Sequence, residues 1–173
     1  MNLPHQMEVR RLTPADASAY RALRLRALWE YPQAFTSSHA EDEKLPLAAT
    51  EKRLDVSHRR FWGAFDDGDL VGMVGLDRET RPKNQHKATV IGMYVAHEQM
   101  GRGIGRALLE ALVEDARAWG LELLVLTVTH AESSARRLYE RCGFRSFGIE
   151  PRAIKVDGHY YGKNHMYLEL TPS

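Results

Sequence analysis

The chain has 173 residues, 24 Lys+Arg against 23 Asp+Glu, and a formal charge of +1. That length suggests one domain spanning 1–173, and the near-zero balance gives no reason to expect a nucleic-acid partner. No apolar run is long enough to cross a bilayer, and Met1 to Met7 carries no basic or apolar leader pattern. A single cysteine, Cys142, excludes an internal disulfide framework and fits a reducing compartment, so the expectation is a cytoplasmic protein with no membrane role.

In chain order, Met7 to Leu12 reads as extended. Thr13-Pro14-Ala15-Asp16 then opens a helix, with Thr13 as cap and Pro14 in the first turn. Ala17, Tyr20, Leu23, Ala27 and Leu28 recur at helical spacing, and Tyr31-Pro32 ends the segment. Phe35 to Lys44 reads as a polar stretch, and a second helix is expected from about Leu45 to His58. Phe61 to Phe65 and Leu70 to Leu76 read as a hairpin around a four-residue loop, Asp66-Asp67-Gly68-Asp69. Arg81 to His86 is a polar loop, and Ala88 to Val95 a third strand.

A glycine cluster follows, and behind it Ile104, Leu108, Ala111, Leu112 and Trp119 mark one face of an amphipathic helix closed by Gly120. Leu121 to Val128 is a continuous apolar run, as for a strand buried on both faces. Strand, helix and strand in this order make a βαβ unit with parallel strands. A helix from about Ser133 to Arg141 stops at Gly143, and Phe144 to Ile154 and His165 to Leu170 are the last strands. The expected fold is α/β (α+β): a mixed, mostly antiparallel central sheet flanked by helices.

The cluster Met100-Gly101-Arg102-Gly103-Ile104-Gly105-Arg106 lies where a strand hands over to a helix. Unpaired N–H groups and the helix dipole favour an anion there, and glycines let it approach the backbone. The Rossmann spacing fails in both registers, because Arg106 and Leu108 stand where a third glycine is required. No Gly-Lys-Ser/Thr follows to make a P-loop. Neither nucleotide motif accounts for the cluster.

Val95-Ala96-His97-Glu98 leading into Gly101 to Leu109 resembles the acyl-CoA-binding motif of the GNAT superfamily of N-acetyltransferases, Gln/Arg-x-x-Gly-x-Gly/Ala. Ser134 to Phe144 resembles that family's second signature, A-x-x-L-Y-x-x-x-G-F, with Tyr139 at its tyrosine. The resemblance implies a βαβ acyl-CoA-binding core and acetyl-CoA as co-substrate. It places the pyrophosphate on backbone N–H groups across Gly101, Arg102, Gly103, Ile104, Gly105 and Arg106. The pantetheine arm would run beside Met93, Tyr94 and Val95, where the strand splays from its parallel neighbour. A backbone N–H near Met93 or Tyr94 would polarise the acetyl carbonyl. Tyr139 would protonate the leaving thiolate. The pattern is broken at two positions: Met100 stands where the motif has Gln or Arg, and Glu132 where the second helix commonly begins with Asn. Both would weaken the hold on CoA. Homodimers are common among the proteins it resembles, while the sequence itself leaves the oligomeric state open.

No pair of the eight histidines has metalloprotease or zinc-finger spacing, so no metal is expected. A carboxylate, a histidine or a water chain could serve as general base. Glu41 and Glu43 are candidates to line the acceptor side and attract a cationic amine, and Tyr160, Tyr161 and His165 to close it. The expected activity is direct acetyl transfer to a primary amine of a small molecule, protein or peptide. The alternative is a non-catalytic acyl-CoA-binding or regulatory domain on the same fold.

Overall fold

The computed structural model describes residues 6–130 and 133–170. One seven-stranded sheet runs through it, formed by β1 (Met7–Arg11), β2 (Arg59–Asp66), β3 (Asp69–Arg78), β4 (Lys87–Val95), β5 (Leu123–Thr129), β6 (Arg145–Val156) and β7 (His159–Glu169). Their spatial order is β1-β2-β3-β4-β5-β7-β6, and only β4 and β5 are parallel. The mixed, mostly antiparallel sheet with an internal βαβ unit is the architecture the strand pattern calls for. Five helices flank it: α1 (Ala17–Glu30), α2 (His39–Glu43), α3 (Leu47–Leu54), α4 (Ile104–Ala118) and α5 (Ser133–Arg141).

Two apolar clusters sandwich the sheet. On one side α4 and α5 bury Ile104, Leu108, Leu109, Leu112 and Tyr139 against Val74, Leu76, Val90 and Leu126. On the other, Tyr20, Leu23 and Ala27 of α1 and Leu54 of α3 meet Phe61, Phe65, Met73 and Tyr94. β2 shows the period-two logic directly, since Phe61 faces the α1 cluster and Trp62 the α4 cluster. The buried residues of α1 are Ala17, Tyr20, Leu23, Ala27 and Leu28, the same set that its helical spacing marks.

Five local expectations need correction. The β2–β3 hairpin closes on two residues and not four, because Asp67 (φ 48°) and Gly68 (φ 90°) both take positive φ, the geometry whose twist matches the flanking strands. Asp157-Gly158 repeats that turn between β6 and β7, so Tyr160, Tyr161 and His165 lie within a long β7. The polar stretch before Lys44 contains α2, nucleated by a reciprocal cap: Ser38 Oγ accepts the Glu41 N–H (3.1 Å), and the Glu41 carboxylate accepts the Ser38 N–H (2.7 Å). The second helix is correspondingly shorter than expected, ending at Leu54. Lastly, β5 alternates between buried and more accessible positions, with Thr127 exposed, so it is not covered equally on both faces.

Both outer strands limit further pairing. β1 is five residues long, and β6 is broken at Pro151 and Arg152, where its register with β7 shifts and Arg152 takes φ 50°. No helix among the described residues is long and apolar enough to cross a membrane.

Helix α4 is the main prop of the larger cluster, and Leu108 is fully buried there, close enough to β3 that a Cβ on Gly72 would lie 3.1 Å from it. We expect Leu108→Ala to lower unfolding free energy by about 2–5 kcal/mol in urea denaturation, the usual cost of a cavity at a fully packed site.

Candidate active site

The parallel pairing of β4 with β5 lasts only from Lys87 to Thr89, opposite Leu123 to Val125. Beyond it the two strands run on without pairing to each other, β4 to Val95 and β5 to Thr129. An interior strand therefore has an open edge, and the opening lies at the carboxyl ends of both strands. A β-bulge contributes on the other side of β4. Met73 pairs with Tyr94 and Gly75 with Ile91, so β4 spends one residue more than β3 across this interval, with Gly92 at φ +61°. The extra residue bends the strand and takes its peptide out of the ladder. Met93 and Val95, flanking this bend, are only partly buried although the strand is internal.

The glycine cluster leaves β4 through a short 3-10 turn, His97–Gln99, and enters α4 with Gly103 at the cap in left-handed geometry, φ +76°. No side chain caps this helix. Its first backbone bond is donated by the Ala107 N–H to Gly103 O (3.0 Å), so the N–H groups of Ile104, Gly105 and Arg106 have no intrahelical acceptor. A Cβ at Gly103 would find open space, so the conformation and not packing demands glycine there. Gly105 has the opposite reason: a Cβ would come within 2.8 Å of Leu138 Cδ2, so its bareness lets α5 close onto the start of α4.

Two arginines pin this loop from separate elements. Arg102 Nη1 donates to Asp66 Oδ2 at the end of β2 (3.0 Å) and also contacts Gln99 Oε1. Arg26 of α1 grips Glu98 through both Nη atoms (2.8 and 2.5 Å) and, through Nε, Glu30 (2.8 Å). Glu30 accepts in turn from the Tyr94 hydroxyl (2.6 Å). The network thus joins the end of α1, the bulged strand and the glycine loop. Arg26 holds the Glu98 carboxyl at about 2, while burial and the Glu30 hydrogen bond push the Tyr94 phenol up. Glu30 and Arg26 were not marked by sequence spacing, since Glu30 and Tyr94 stand 64 residues apart.

Tyr139 projects from α5 into the larger cluster, 6 % exposed, its ring edge-on to Phe144 at 5.8 Å. Burial pushes its phenol well above the ordinary tyrosine value, with Cys142 adding to the effect, so it keeps its proton throughout the neutral range. Cys142 is half-buried and packs against the same cluster.

The remaining expected site residues occupy different settings. Met100 is exposed beside the glycines, and Arg106 lies on the surface of α4, paired with Glu110 (2.9 Å). Glu41 caps α2, and Glu43 is largely exposed, 3.7 Å from His39. His165 is paired with Glu150 (3.0 Å). Glu132 lies outside the described residues.

Residues 24–144, which contain the bulged strand, the glycine loop and Tyr139, match the sequence model of the acetyltransferase (GNAT) family. The chain belongs to the GNAT family. It is accordingly an acetyl-CoA-dependent acetyltransferase. It is 36 % identical over 118 residues to the N-alpha-acetyltransferase RimI of Mycobacterium tuberculosis, covering 68 % of this chain and 72 % of that one. It is 32 % identical over 139 residues to the L-methionine sulfoximine/L-methionine sulfone acetyltransferase of Pseudomonas aeruginosa, covering 71 % and 79 %. In fold it is similar to a GNAT acetyltransferase from Streptococcus pneumoniae (TM-score 0.87, 24 % identity, 95 % and 99 % covered). It also resembles a putative acetyltransferase from Salmonella typhimurium solved with acetyl-CoA (TM-score 0.81, 21 % identity, 97 % and 96 % covered).

The depressed Glu98 value fixes the sign of an acid effect. A carboxyl whose folded value lies below its unfolded one stabilises the fold above the unfolded value, about 4.3, and loses that contribution as pH falls towards about 2. The melting temperature of the wild-type chain should therefore fall more steeply between pH 5 and 2 than that of Glu98→Gln, in parallel thermal melts (roughly the window between the two values).

Proposed function

We propose that the chain transfers the acetyl group of acetyl-CoA to a primary amine, of a small molecule or of a protein or peptide, by direct attack and without a covalent enzyme intermediate. The open β4 edge next to a helix start with no side-chain cap carries this reading. An extended amide-bearing arm can add to such an edge as an extra strand, while the free N–H groups at the helix start suit a pyrophosphate. The residues present fit that ligand: Gly101 and Gly103 leave open space where a side chain would intrude, and Ile104, Gly105 and Arg106 offer backbone donors. Because Arg102 is held by Asp66, the phosphate contacts fall mainly to the backbone, with Arg106 free to contribute from its weak surface pair.

In the reaction, the neutral amine attacks the thioester carbonyl, whose oxygen takes a hydrogen bond from a backbone N–H near Met93 or Tyr94. The tetrahedral species collapses with cleavage of the C–S bond. Tyr139 gives its proton to the departing sulfur, and the proton lost by the amine leaves through a base or water. The Tyr139 phenol is protonated at neutral pH and so has a proton to give; its upward shift comes from burial and does not itself strengthen the acid. The Arg26–Glu30–Tyr94 tie would keep the bulged strand in register for the carbonyl contact.

The two relatives act, by their names, on an alpha-amino group and on L-methionine sulfoximine or L-methionine sulfone. Both acceptor classes belong in the assay. A half-buried free Cys142 suits the reducing cytoplasm as the site of action, and a homodimer is the assembly to test by light scattering.

With the preferred acceptor found from a panel of peptides, amino acids and small amines, Tyr139→Phe should lower kcat about 10²–10⁴-fold with little change in acetyl-CoA affinity. Unchanged turnover would remove Tyr139 as the acid. Gly103→Asp forces an anionic side chain into left-handed backbone at the loop. It should abolish CoA binding in calorimetry while circular dichroism remains that of the wild type, and normal binding would place the donor elsewhere.

A further inference from the structure

A cavity of about 220 Å³ opens between α1, α2 and α3, lined by Arg21, Arg24, Arg53, Asp42 and Thr50 with Tyr20 as part of its apolar wall. None of these residues belongs to the glycine loop, to β4 or to α5. The charges in it do not cancel. Asp42 is the one acid in the lining, and Arg24 engages it at 2.5 Å, both side chains being mostly buried (12 % and 16 % exposed). Arg21 finds only carbonyl oxygens, those of Glu43 (3.0 Å) and Leu45 (3.4 Å). Arg53 rests its guanidinium over the Phe61 ring at 5.1 Å and makes no hydrogen bond or ion pair among the described residues. The Nε atoms of both Arg21 and Arg53 are buried without a partner. Two half-buried guanidinium groups therefore share one cavity with no carboxylate left for either. Donors and positive charge left unmatched away from water are costly, and an oxyanion supplies both the acceptors and the charge.

We infer that this cavity is a binding site for a small organic anion, with a carboxylate or phosphate head held by Arg21 and Arg53 and a short apolar body against Tyr20 and Leu45. Its volume is below the 300–1,000 Å³ or so typical of drug-sized ligands, which fits a metabolite of a few carbons. The site is separate from the acetyl donor's, and the cavity wall is formed by α1, the same helix that ends in Glu30 and its bond to Tyr94. A ligand there braces α1 against α2 and α3.

The test uses the full chain saturated with CoA, so that the glycine loop is not available to the probe. Inorganic phosphate and, separately, malonate are titrated at constant ionic strength, with sodium chloride as the control, and followed by calorimetry and thermal melts. At least one probe should bind saturably, and Arg53→Gln should weaken it about tenfold or more, as expected for loss of a charge-assisted contact. Ala49→Glu, which sets a carboxylate among the guanidinium groups from within α3, should abolish binding without lowering the melting temperature of the ligand-free chain. CoA binding should be unchanged in both variants. Absence of saturable binding by either probe, or binding that persists undiminished in Ala49→Glu, would overturn the site.

Discussion

The separation of β4 from β5 after three paired residues governs the rest of this molecule. A parallel pair at the centre of a sheet normally satisfies its backbone along its length, and unpaired peptide groups inside a fold are costly. Here the pairing is given up in the middle of the sheet, and the structure around the gap holds it open. The bulge at Gly92 turns β4, the Tyr94 hydroxyl ties the turned strand to α1, and α5 closes over bare Gly105. The open edge and the exposed N–H groups of α4 then lie at the same end of the sheet, because parallel strands place their carboxyl ends together.

Electrostatics around the opening are local and mostly neutralised. Arg102, a candidate for ligand contact, is committed to Asp66, and Arg26 to Glu98. This leaves the anion-binding capacity of the loop to backbone dipoles, which need no counter-ion and cost no side-chain entropy on binding. A chain of overall charge +1 can therefore hold a multiply charged ligand without a basic surface field.

Much of the frame was legible in the sequence because its signals are short-range. The apolar spacing of α1 and α4 marks their buried faces, and the βαβ unit follows from element order. The shortfalls have physical causes. The Asp-rich segment 66–69 reads as a four-residue loop, whereas positive φ at Asp67 lets the strands continue up to a two-residue turn. Helix α2 hid in a polar stretch, although Ser38 and Glu41 at capping-box spacing were the signal that could have found it. That same bond accounts for Glu41, whose acidity reads equally well as substrate attraction when only composition is in view. Of the site, the glycine loop and Tyr139 were visible as local motifs. The Arg26–Glu30–Tyr94 tie and the arginine cavity were not, because each is assembled from segments far apart in the chain.

The break in β6 at Pro151 and Arg152 has a consequence for the molecule's behaviour in a crowded solution. An outer strand as long as β6, with Phe147 and Ile149 exposed along it, would offer a continuous ladder of donors and acceptors to any extended chain that met it. Proline removes one donor, and the left-handed residue after it swings the backbone out of line. The exposed apolar side chains can then be carried at the surface without templating fibril growth, because the rim that would have to zip up with a neighbour is interrupted near its middle.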